Sequence, residues 1–412
     1  MKEKFSTLGG AQAWCIWGLC VVFLVWLFNL QTSYAVLSPK IENELMLTIA
    51  QIGLVSSVYT WAFAAIQFIS GPLLDRFGLR KCMPWAVAFV VLGAFLYSSA
   101  HSIEALLVAQ ILLALGAAFG FVGAGFAGDK WFGAAKYGVM FGLVQAGASL
   151  GSTVGTPTIN YFANLYDWRS VLFIFFLFGI ALFVAFLVWV RDPKTGDTPK
   201  TFKLSLPKQV VTELRACFKL PNVWLSALIA GTSFGIMLAV GVLWGPRIIS
   251  AHGFESGALA TALLWLGLAI GAPLFNVISN KLKNRKLTLA AGILLQAAVT
   301  AMLVFTPSLT ESVLLWLMFL LGLTSGAHML GFTIAGETVA GNLIGGASAI
   351  VNATCFIIGG IAMSFPAHLL PSHTPSLADF SHALLIMPIG LAIAFLLSLI
   401  VRETYKVPKV VP

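Results

Sequence analysis

The stretch Arg169-Ser170-Val171-Leu172-Phe173-Ile174-Phe175-Phe176-Leu177-Phe178-Gly179-Ile180-Ala181-Leu182-Phe183-Val184-Ala185-Phe186-Leu187-Val188-Trp189-Val190 is followed at once by Arg191-Asp192-Pro193-Lys194-Thr195-Gly196-Asp197. The first part is apolar on every face and as long as the roughly 20 residues a helix needs to cross a bilayer. The second part is charged, breaks a helix at Pro193 and belongs in water. Together they read as a membrane span running into an aqueous connection. Runs like the first recur along the chain, so twelve helical spans are predicted at 14–37, 50–71, 83–100, 104–126, 137–158, 169–190, 222–244, 256–278, 287–305, 312–335, 345–366 and 381–401.

Composition agrees: 59% of the 412 residues are hydrophobic and 9% charged, too little polar material to cover a soluble globule. The runs are too long and too uniformly apolar for barrel strands, and unpaired backbone cannot face lipid, so the predicted class is an all-α membrane protein. Twenty-one of the 24 Lys and Arg fall at the termini and in alternate connections, leaving Lys40, Arg169 and Arg247 on the other side. By the positive-inside rule both termini are cytoplasmic, as an even number of spans requires. The net charge of +9 is explained by this bias, and no basic domain suggests nucleic acid as a partner. The first apolar run is span-length without a short cleavable core, so it reads as a retained span and not a signal peptide. Cys15, Cys20, Cys82, Cys217 and Cys355 show no paired or metal-ligand spacing, so neither disulfide nor metal is expected.

The charged connection 191–221 divides the chain into an N-terminal six-helix bundle (1–190), a cytoplasmic linker (191–221) and a C-terminal six-helix bundle (222–412). Landmarks recur at an offset of ~207 residues, the mark of parallel repeats. Span 1 ends in Ser38-Pro39-Lys40-Ile41 and span 7 in Gly245-Pro246-Arg247-Ile248. Gly125-Phe126 before Asp129 answers Gly331-Phe332 before Glu337, and Gly138 with Gln145 answers Gly345 with Asn352.

Between spans 2 and 3 stands Gly71-Pro72-Leu73-Leu74-Asp75-Arg76-Phe77-Gly78-Leu79-Arg80-Lys81. Its spacing of Gly, Asp-Arg, Gly and basic residues resembles the signature loop of the major facilitator superfamily. Locally, Gly71 permits close helix approach, Gly78 a tight turn, and the cations hold the loop inside. The resemblance implies a fold of two pseudo-symmetric six-helix bundles and a gating latch formed by Gly71, Asp75, Arg76, Gly78 and Arg80. The equivalent turn, 276–286, has Asn276 where an acid would stand. Span 5 carries Gly142, Gly151, Gly155 and Thr156-Pro157, close to the family's antiporter motif but with proline one position late. Span 4 resembles the family's fourth-helix motif with Gln110 where an arginine is common, which weakens a drug-antiporter reading.

The resemblance also implies that spans 1, 4, 7, 10, 2, 5, 8 and 11 line a central cavity and that 3, 6, 9 and 12 lie outside. Polar groups at that depth are costly against lipid, so those on lining spans are candidate solute ligands: Asn29, Gln31, Tyr34, Tyr59, Gln67, Gln110, Gln145, Thr232, Ser233, Trp265, His328 and Asn352. For each neutral amide or hydroxyl the alternative is an interhelical hydrogen bond, worth on the order of 0.6–2 kcal/mol. His328 stands well inside a span and changes charge near neutral pH, so it is the first candidate for proton coupling, followed by Glu337 and Asp129 at helix ends.

The expected activity is alternating-access transport of a small polar organic solute, a nutrient, metabolite or carboxylate, by proton symport across a plasma (cytoplasmic or inner) membrane. The expected partners are the solute, protons and the lipid bilayer, with the chain a monomer. Direction is open, so a proton-driven exporter of a metabolite, siderophore or drug is the rival, and a transporter-like sensor a further alternative. Catalysis is not expected: there is no HExxH, GxSxG, phosphate-cradling glycine-lysine loop or intramembrane aspartate pair, and no cofactor is implied.

Overall fold

The computed structural model describes residues 9–132, 137–193, 206–340, 343–371 and 375–405; linker residues 194–205 lie outside them. The described chain is helical throughout. Among the described residues, eleven helices are long and apolar enough to cross a membrane. The remaining span, Tyr137–Leu165, has the length at 29 residues, but glycine, serine and threonine dilute it. With it the chain has the twelve spans expected, in two six-helix bundles.

Four crossings are interrupted helices. Span 4 is Ile103–Ala117 and Gly120–Phe132; span 10 is Glu311–Ser325, a 3₁₀ turn at Gly326–His328, then Met329–Thr338. Span 7 is Pro221–Ala239, a π turn at Val240–Trp244 and Gly245–Ala251. The π turn has a local cause: Pro246 has no N–H to donate, and the preceding Gly245 N–H reaches five residues back to Val240 O. Span 12 is Leu377–Ala383 and Ile386–Ser398. Spans 1, 2, 3, 6, 8, 9 and 11 are single helices: Ala11–Glu44, Ile49–Phe77, Leu79–Ser98, Trp168–Trp189, Gly257–Leu282, Arg285–Phe305 and Ile344–Leu369.

Glycine sets which helices pair. Gly147, Gly151 and Gly155 recur every fourth residue of span 5, and a Cβ on each would press on Val21, Val25 and Asn29, themselves four apart on span 1. The side chains of span 1 therefore seat directly on the glycine backbone of span 5, the small-residue mode of membrane packing. In the second half the equivalent pair is spans 7 and 11, and there the glycines sit on the other partner: Gly231 meets Thr354 and Gly235 meets Cys355 and Gly359. Span 6 buries only 33% of its apolar window and spans 3 and 12 39%, against 83% for span 7, which places the former outside, facing lipid, and the latter at the centre.

The linker contributes a helix, Leu206–Phe218, started by Pro207. Its apolar stripe packs on the start of span 11, where the Cys217 thiol approaches Leu343 O at 3.8 Å. Burial pushes that thiol's pKa up. We call the end carrying this helix the linker end and the opposite one the far end.

Candidate functional site

A cavity of about 590 Å³ lies between the bundles and runs to the linker end. Its walls come from spans 1, 2, 4, 5, 7, 10 and 11 and from the linker helix, through Val210, Glu213 and Leu214. The far end is closed by contacts between the halves. Ser57 Oγ donates to Gly360 O at 2.8 Å, the Trp61 indole donates to Ile357 O at 3.3 Å, and a Cβ on Gly53 would fall 2.7 Å from Ala367 Cβ. Arg247 of span 7 pairs there with Glu42 of span 1, both largely buried. The three cations assigned to this end are all engaged: Lys40 bonds Ala163 O and Asn164, and Arg169 bonds Glu44 and Ala100 O.

Six of the twelve candidate ligands line the cavity: Gln31, Tyr59, Gln67, Gln145, His328 and Asn352. Gln145 and Asn352, in register in the two repeats, thus reach the same space from spans 5 and 11. The other six lie elsewhere. Asn29 donates to Val25 O at 2.8 Å and packs against Gly155. Tyr34 donates to Ile52 O at 2.9 Å, tying span 1 to span 2. Gln110 faces a separate small pocket shared with Gln31, Tyr34 and Tyr59. Thr232 lies against Gly390 of span 12. Ser233 donates to Gln296 Oε1 at 2.5 Å and its carbonyl accepts from Gln296 Nε2 at 2.9 Å. Trp265 is fully buried, edge-on to Phe28 at 5.7 Å, so span 8 stands behind the wall. Tyr34 and Ser233 thus make the interhelical hydrogen bonds that were the alternative reading of such groups.

Of the three wall spans that break, 4 and 10 do so at repeat-related points. In span 4 the chain leaves the helix after Ala117, and Gln67 of span 2 donates through Nε2 to Ala118 O at 3.1 Å. In span 10 the 3₁₀ turn ends at His328, whose Nδ1 lies 2.7 Å from Ser325 O. A carbonyl can only accept, so Nδ1 carries the hydrogen, and the neutral imidazole has its lone pair on Nε2. Among the described residues that nitrogen has no hydrogen-bond partner, and the ring, wedged 4.8 Å from Phe234, is 4% exposed. Protonation converts Nε2 from acceptor to cationic donor without moving the ring.

The signature loop lies at the linker end. Gly71 and Asp75 line the cavity mouth, and the Arg76 guanidinium sits 6.0 Å over the Phe77 ring. Gly78 has φ +76°, and a Cβ there would strike the carboxylate of Asp192, 2.6 Å away. That carboxylate accepts from Leu79 N at 2.7 Å and from Arg80 N at 3.4 Å, capping the start of span 3. Glycine is thus required twice, for its dihedral and for the room. The second half repeats the device with Glu403, just after span 12, which accepts from Arg285 N at 3.1 Å and Lys286 N at 3.0 Å at the start of span 9. Neither cap was among the sequence candidates. The signal was present as Val190-Arg191-Asp192 and Val401-Arg402-Glu403, matching triplets that close the two halves.

Glu337 bonds Arg285 Nη2 at 3.1 Å and accepts from Thr404 at 2.6 Å. Asp129 lies 3.5 Å from Lys130, half-exposed. Neither lines the cavity.

The profile of the Major Facilitator Superfamily matches residues 18–364. The chain belongs to the major facilitator superfamily. It is a multi-pass membrane transporter of a small solute and not an enzyme. Among similar proteins, the probable sulfoacetate transporter SauU of Cupriavidus necator is 24% identical over 337 residues, 75% of this chain and 74% of that protein. The hexuronate transporter of Bacillus subtilis is 22% identical over 263 residues, 61% of each. A bacterial homolog of the human lysosomal transporter Spinster, solved inward-facing and unoccupied, matches with a TM-score of 0.75 and 15% identity over 95% of this chain and 98% of that one, a likeness of fold.

Proposed function

We propose that this facilitator takes up a small carboxylate-bearing organic solute together with a proton, as a monomer in the cytoplasmic or inner membrane with both termini and the linker end cytoplasmic. The observation that carries the reading is His328, whose free Nε2 stands on a cavity that opens to one end only. No Lys or Arg is among the described residues of that wall, so His328 is its one group able to become a cation. A carboxylate leaving water for this space gains a charge partner when the imidazole is protonated, and the imidazolium gains one when the carboxylate arrives. Solute and proton then bind in mutual support and cross together. The substrates for which the relatives are named, sulfoacetate and hexuronate, are organic anions and favour the same class.

In this reading the units 1–190 and 222–412 rock about the cavity. Opening the far end requires parting Glu42 from Arg247 and Ser57 from Gly360. Closing the linker end brings the mouth at Asp75 against span 11, with Gly71, Arg76, Gly78 and Arg80 holding the loop that carries it. Proteoliposomes containing the purified chain test this: an acid exterior should drive accumulation of an organic acid above equilibrium, abolished by a protonophore. Accumulation indifferent to the pH gradient would sink the coupling, and accumulation only from preloaded vesicles would reverse the direction.

A further inference from the structure

Most of the cavity wall is apolar, and its polar groups are interspersed among aromatic rings. Gln67 is committed to Ala118 O and Gln145 donates to Ser149 Oγ at 3.1 Å. Among the described residues, the Gln31 Nε2, the Asn352 amide, the Tyr59 and Ser348 hydroxyls and the His328 Nε2 are wall groups with no hydrogen bond. Between them runs a ribbon of rings. Tyr59 stacks on Phe63 at 6.2 Å; Phe63 meets Phe356 across the two halves at 4.1 Å; Phe356 lies 5.9 Å from Phe234, and Phe234 4.8 Å from His328. The ribbon therefore crosses the bundle interface and ends at the imidazole.

We infer that the cavity selects a monocarboxylate with an apolar aromatic body and rejects sugar acids. The inference rests on the carboxylate reading above and narrows it. Each hydroxyl of a uronate that leaves water without a new partner costs roughly tenfold in affinity, and a hydroxyl set against the rings of Phe63, Phe234 and Phe356 finds none. A planar ring, by contrast, is desolvated at no such cost and packs against Phe234 and Phe356 in tilted or edge-on contact. The acid group then lies at His328, where the ribbon ends, with the Gln31 and Asn352 amides left for its oxygens or for one ring substituent. The volume of about 590 Å³ falls within the range of about 300–1,000 Å³ usual for small-molecule sites. Because the Phe63–Phe356 contact joins the halves, a ring packed against that pair touches both and senses their separation.

The test is direct binding to the purified full-length protein at pH 6, by calorimetry, of three probes: 3-phenylpropionate, 3-phenylpropionamide and glucuronate. The acid should bind at least tenfold tighter than both others. Phe356→Ala should weaken 3-phenylpropionate at least fivefold and leave glucuronate unmoved, with Phe356→Leu intermediate and an unchanged melting midpoint reporting that the fold is kept. Glucuronate binding as tightly as 3-phenylpropionate overturns the inference while a carboxylate transporter stands. Equal binding of acid and amide overturns both the inference and the carboxylate reading. No heat from any probe with a folded protein overturns the inference. Tight binding of the acid without pH-driven accumulation in vesicles leaves the inference intact and sinks the coupled-uptake reading.

Discussion

Spans 4 and 10 occupy equivalent places in the two halves and both lose their helix beside the cavity, yet the freed carbonyls are served differently. Ala118 O takes a hydrogen from Gln67, an amide on a neighbouring span that has one protonation state. Ser325 O faces His328 of its own helix, a group that has two. The N-terminal break is pinned to span 2 and fixed in charge. The C-terminal break is self-contained, and its second ring nitrogen is left for whatever occupies the cavity. Of two breaks at equivalent places, one is a structural joint and the other carries a titratable group.

The largest effect expected from that contrast is at His328. His328→Gln keeps a donor near Ser325 O but removes the cationic state, so pH-driven accumulation should vanish while solute-for-solute exchange continues within a few-fold of wild type. Unchanged accumulation would place coupling elsewhere. Gln67→Leu should behave differently: it leaves a buried carbonyl unpartnered, costing about 1–3 kcal/mol and lowering the melting midpoint, with the pH dependence of transport preserved. A shift of that pH dependence in Gln67→Leu would erase the distinction between the two breaks.

Much of this was legible in the sequence, for physical reasons that mark its limit. Span number follows from apolar length, which the bilayer enforces, and the glycines of span 5 announced a close helix contact. Depth along a span was also readable, which is why Gln145, Asn352 and His328 reach the cavity. Azimuth was not. Ser233 and Thr232 are adjacent residues at cavity depth, yet one binds Gln296 and the other faces span 12, because uniformly apolar helices carry no polar stripe to reveal which side turns inward. The linker helix escaped as a wall element since a charged connection carries no signal of what it covers. The caps by Asp192 and Glu403 escaped because they join residues over a hundred positions apart.

Those two caps offer the finest division between the halves. Among the described residues Asp192 accepts from two backbone N–H groups, whereas Glu403 accepts from four, those of Arg285, Lys286, Thr404 and Tyr405. Burial alone would raise the Glu403 carboxyl, but the four donors outweigh it and hold it below the ordinary carboxylate range. A depressed folded-state value means that the ionised form stabilises the fold above the ordinary value of about 4.3, and that this contribution fades as pH falls through the lower folded value. Glu403→Ala should therefore cost about 1 kcal/mol at neutral pH, the usual size of a lost helix cap, and the gap to wild type should close on acidification below about pH 4. Asp192→Ala, with fewer bonds to lose, should cost less at neutral pH. Melting midpoints of both variants across pH 3.5–7 read the comparison, and a larger loss for Asp192→Ala would make the signature loop, rather than its counterpart, the more strongly held of the two turns.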